Sequence, residues 1–69
     1  FGRADAATIL SEDAALADAC ATALGNRIRR EEDLETALAW VQSVPGVLGA
    51  LAVCGDRLAA WGRIELTVP

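Results

Sequence analysis

Ala14-Ala15-Leu16-Ala17-Asp18-Ala19-Cys20-Ala21-Thr22-Ala23-Leu24-Gly25-Asn26 is the run around which the chain is arranged. It holds strong helix formers almost throughout and ends on a stop signal, Gly25-Asn26. Nearly every face is small and apolar, which predicts a buried helix packed closely by its neighbours. Asp18 and Thr22 break that pattern, and their i, i+4 spacing places both on one face. A carboxylate and a hydroxyl in a greasy setting require a partner. Mg²⁺, a hard cation that takes oxygen ligands, is one candidate; a donor from elsewhere in the protein is the other.

Upstream of this helix, Phe1 to Asp5 reads as an entry loop. Ala6-Ala7-Thr8-Ile9-Leu10 follows as a short strand, aliphatic and β-branched enough for a central position. Ser11 is placed to cap the helix, with Glu12 and Asp13 favourably set against its dipole, so the helix is predicted over about residues 12 to 24. Gly25 supplies a left-handed C-terminal cap. Downstream, Arg27 to Arg30 form a polar connector, and a second helix begins near Glu31. Its apolar positions Leu34, Ala37, Leu38, Val41 and Val44 follow helical spacing, with Glu35, Thr36, Gln42 and Ser43 largely opposite. Such a helix lies on a sheet with one face wet. Pro45-Gly46 ends it.

From Val47 the period changes. Val47 to Cys54 is a continuous apolar run, short enough to be a strand covered on both faces. Gly55-Asp56 is a hairpin turn, Arg57 to Trp61 the return strand, and Gly62 a bend. Arg63 to Val68 alternates polar and apolar, as a half-solvated strand does, before Pro69. The order β-α-α-β-β-β predicts an α+β fold, a mostly antiparallel sheet with two helices packed on one side.

Sixty-nine residues make at most one small domain. Chains of this size bury only roughly 60% of their unfolded surface, and much of the apolar content here is alanine. A chain that starts at Phe1 and enters strand-like sequence within a few residues reads as a piece of a longer protein, with its core partner upstream. The net charge of −4 and the lack of histidine argue against nucleic acid. The basic run Arg27, Arg29, Arg30 is cancelled at once by Glu31, Glu32 and Asp33. No apolar run approaches the roughly 20 residues of a membrane span, and no signal peptide is visible. Cys20 and Cys54 lack CxxC spacing and read as buried reduced thiols of a cytoplasmic protein, with a Cys20–Cys54 redox pair as the rival reading.

Few groups here carry chemistry. Without histidine, no Ser-His-Asp or Cys-His arrangement is complete within the chain. Gly46, Gly49 and Gly55 lack the spacing of a phosphate loop. Asp5 and Asp56 read as turn anchors, and Trp40 and Trp61 as packing residues or a platform for an aromatic ligand. Catalysis by this segment alone is not expected. Asp18 with Thr22 remains the candidate metal pair, since two hard oxygens on adjacent helical turns suit Mg²⁺. The structural alternative has Asp18 accepting bonds from a neighbouring loop and Thr22 bonding back to its own helix.

Leu16-Ala17-Asp18-Ala19-Cys20-Ala21-Thr22-Ala23-Leu24-Gly25 resembles the A-D-A-x-x-T-A stretch near the C-terminus of ApbE-type proteins, the FAD:protein FMN transferases and FAD pyrophosphatases. A closer resemblance is to an uncharacterised ApbE-like branch of bacterial and archaeal proteins. It extends over Gly2-Arg3-Ala4-Asp5-Ala6, Pro45-Gly46-Val47-Leu48-Gly49-Ala50, Gly55-Asp56-Arg57-Leu58-Ala59-Ala60-Trp61-Gly62 and Ile64-Glu65-Leu66. The resemblance implies that residues 1–69 are a single C-terminal segment of a larger ApbE-like domain. It further implies that Asp18 and Thr22 hold a Mg²⁺ engaging the pyrophosphate of FAD. The implied partners are the upstream part of the same protein and a flavin nucleotide, with a second copy of the chain as a candidate for a homo-oligomer. The transferases' histidine motif and flavin-binding residues lie upstream of the matching stretch, and Gly25-Asn26-Arg27 departs from their bulky apolar continuation. A structural or interaction module that has lost flavin chemistry is the alternative.

Overall fold

Five elements follow one another in a computed structural model that describes residues 4–63: β1 (Ala6–Ser11), α1 (Ala14–Arg27), α2 (Asp33–Gln42), β2 (Val47–Cys54) and β3 (Arg57–Gly62). They form the expected α+β arrangement, a three-stranded antiparallel sheet in the order β1-β2-β3 with both helices on one side. The sixth predicted element, the strand after Arg63, lies outside the described residues.

Period-2 burial along the strands decides which face the helices cover. Ala7 and Ile9 pair with Ala52 and Ala50, which pair in turn with Ala59 and Trp61, and all six point toward the helices. Four of the six are alanine, and the helices contribute the larger Leu24, Leu34, Leu38 and Val41 to the same core. Leu24, Ile28 and Val41 are fully buried between the two layers. On α2, Leu34, Ala37, Leu38 and Val41 are buried as the spacing predicts, and Val44 is half-buried. Gly55 takes φ +62° in the β2–β3 turn, a conformation that favours glycine. Asp5 anchors that turn: its Oδ2 accepts from the Gly55 N–H at 2.8 Å, across fifty positions of sequence.

Four local expectations are corrected. The cap of α1 is Asp13, whose Oδ1 accepts from the N–H groups of Ala15 and Leu16 at 3.0 and 3.2 Å. Ser11 is the last residue of β1, and its hydroxyl is committed to the Gly46 carbonyl at 2.8 Å. Gly25 does not stop the helix, which runs on to Arg27, because Ile28 reaches the core at zero exposure. Helix α2 begins at Asp33 rather than Glu31; the Asp33 carboxylate turns back to accept from the N–H groups of Arg29 and Arg30. Finally, β2 and not β1 is the central strand, with β1 on an edge among the described residues.

Candidate functional site

Helix α1 is not buried all round. Its inward seam is Leu16, Cys20, Leu24 and Ile28, four residues apart at each step and all buried or half-buried. At about 100° per residue, a position offset by two from that seam lies on the far side of the helix. Asp18 and Thr22 are so offset, and both are exposed, beside exposed Ala15, Ala19 and Asn26. The greasy enclosure expected of Asp18 is therefore replaced, among the described residues, by an open, alanine-rich helix face.

Asp18 and Thr22 do stand together, as their spacing predicts. The Thr22 Oγ1 donates to the Asp18 carbonyl oxygen at 3.2 Å, the back-bond to its own helix. That bond uses the hydroxyl proton and leaves the oxygen's lone pairs outward. The Asp18 carboxylate makes no hydrogen bond or ion pair with a described residue. Two hard oxygens on one face fit part of a Mg²⁺ shell, which takes one or two protein carboxylates and fills the rest with water or phosphate oxygens. Among the described residues, no group of three His, Cys, Asp or Glu stands together to hold an ion.

The other candidates resolve into packing. Trp40 and Trp61 are half-buried against the core, and the Arg27 guanidinium lies 3.8 Å from the centre of the Trp40 ring. This cation–π contact occupies one ring face and uses a residue that looked like plain connector. Cys20 and Cys54 are buried thiols, each 6% exposed. Cys54 borders an open cleft of about 600 Å³ together with Asp5, Arg29, Arg30 and Glu31. Two cations and two carboxylates leave that cleft electrically balanced, and neither Asp18 nor Thr22 lines it. No signal in the sequence marked this cleft, because the residues that line it are contributed by three separate segments. No helix among the described residues is long and apolar enough to cross a membrane.

The chain is 48% identical over 68 residues to a UPF0280 protein of Methanocella arvoryzae, a match covering 99% of this chain and 28% of that protein. A UPF0280 protein of Methanosarcina acetivorans is 48% identical over 65 residues, 93% of this chain and 26% of its own length. One from Methanothrix thermoacetophila is 45% identical over 64 residues, 93% of this chain and 27% of its length. The chain thus spans about a quarter of the length of the curated relatives it matches. No solved structure matches it. A family described as AbpE bacteria matches residues 1–66, nearly the whole sequence and all of the described fold. The chain belongs to this family, described as AbpE bacteria.

Proposed function

We propose that these residues are the C-terminal segment of a longer, cytoplasmic ApbE-like protein, and that Asp18 and Thr22 contribute oxygens to a Mg²⁺-dependent flavin-nucleotide site completed by the rest of that protein. The observation that carries the reading is the outward Asp18 carboxylate, without a described partner, beside the Thr22 hydroxyl on α1. On this reading the exposed acid, set among Ala15, Ala19, Thr22 and Asn26, meets an ion held by the rest of the protein. A bound Mg²⁺ would offset negative charge developing on a phosphoanhydride, as in FMN transfer from FAD or its hydrolysis. Asp18 would supply the charge and hold the ion's position; Thr22 would supply a neutral oxygen, kept in orientation by its bond to the Asp18 carbonyl. On this reading the protein is a relative of the FAD:protein FMN transferases.

A second reading has its own support. Thr22 already satisfies its hydroxyl within the helix, and among the described residues no three of His, Cys, Asp or Glu cluster to hold an ion. In that case the segment is a structural or interaction module that completes a core or a subunit interface. FAD titration of the full-length protein, with and without Mg²⁺, separates the two. On the site reading Mg²⁺ tightens FAD binding at least tenfold, about 1.4 kcal/mol, and Asp18→Asn removes that gain. Equal affinity in all conditions, or no binding, supports the module.

A further inference from the structure

The sheet has a second face, turned away from the helices. Two cross-strand rows lie on it, Thr8–Leu51–Ala60 and Ala6–Val53–Leu58, with Leu10 beside them. None of these residues is charged, and Thr8 alone is polar. Leu10 and Leu58, 40% and 53% exposed, are the large apolar side chains left exposed among the described residues. An antiparallel sheet that meets water on one face alternates apolar with polar residues, and β2 does not. Its run Val47 to Cys54 is apolar on both faces, the pattern of a strand covered on both, yet the described helices cover only one.

We propose that the open sheet face is an internal interface, covered by the part of the same polypeptide that lies outside these residues. This rests on reading the chain as a segment of a longer protein, and does not depend on a metal at Asp18. Relatives in which the matching stretch is 28% of the length contain roughly three quarters of their chain beyond it. The described segment is a slab 16 Å across its shortest Cα axis, two layers with one sheet face bare. An uncharged face of three strands, apolar except for Thr8, fits an apolar layer of the same fold, held there by covalent connection.

Side-chain footprinting of the full-length protein with a photoactivated carbene tests this, at two protein concentrations a hundredfold apart and with mass measured by light scattering. Leu10 and Leu58 are expected to label about tenfold less than in the urea-unfolded chain, equally at both concentrations. Labelling at about half the unfolded level, as exposures of 40% and 53% give for an open face, would overturn the proposal. Protection that vanishes on dilution together with a dimer would overturn it too, assigning the face to a second copy. Labelling at Leu10 and Leu58 reads the sheet face, not Asp18, so a negative Mg²⁺ titration leaves this result standing.

Discussion

Gly62→Ala is expected to lower the unfolding free energy of the full-length protein by about 3 kcal/mol or more, read from urea denaturation. Gly62 holds φ +79°, where a Cβ is strained whatever the space around it. The space is absent as well. A Cβ would stand 2.3 Å from the Leu48 carbonyl oxygen and 2.8 Å from the Gly49 Cα. Both atoms are backbone of the central strand, so no side chain is able to swing aside. The same Leu48 carbonyl accepts from the Arg63 N–H at 2.9 Å, so moving it to relieve the clash would also break that bond. Gly25→Ala is the control: its Cβ would meet the Ala7 Cβ at 3.9 Å, ordinary contact, inside a helix where alanine is favoured. That variant should unfold at or slightly above the wild-type midpoint.

Leu24→Ala is expected to cost about 3 kcal/mol in the same measurement. Leu24 has no exposed surface and sits mid-seam on α1, between Cys20 one turn earlier and Ile28 one turn later. The core it shares includes Ala7, Ala50 and Ala52 of the sheet, whose short side chains cannot close a gap. The cavity therefore stays open, and the loss exceeds the simple transfer free energy of the deleted carbons. Leu24→Met, close in volume, should cost less than about 1.5 kcal/mol.

Much of this fold is legible in the residues alone. The spacing of Leu34, Ala37, Leu38 and Val41 places α2 and names its buried face, and Gly55-Asp56 marks the hairpin turn. The ends of α1 are less legible, for different reasons. Ser11 and Asp13 are both good caps, and the choice between them depends on Gly46, thirty-five residues away, which takes the Ser11 hydroxyl. Gly25 and Asn26 are local stop signals, overridden because one further turn buries Ile28 and brings Arg27 over Trp40. Burial of a large aliphatic side chain outweighs the roughly 1 kcal/mol that glycine costs inside a helix.

The candidate site was half legible. Spacing alone set Asp18 beside Thr22. It could not say which way they faced, because an alanine-rich helix carries little contrast between its sides. The outward direction emerges only from the seam Leu16, Cys20, Leu24, Ile28, and Ile28 lies beyond the apparent end of the helix. Charge balance in the Arg29–Arg30 cleft was similarly hidden, since Asp5 and Cys54 reach it from distant strand ends.

Mn²⁺ in place of Mg²⁺ offers the most direct reading of what Asp18 does. In NMR spectra of the full-length protein with a flavin nucleotide, the bound ion should broaden the amide signals of residues 18 to 22 beyond detection. Signals from the Gly55-Asp56 turn should remain sharp, and Asp18→Asn should restore those of α1. Sharp α1 signals at saturating Mn²⁺, or broadening centred elsewhere in the chain, would contradict a metal role for Asp18 and Thr22.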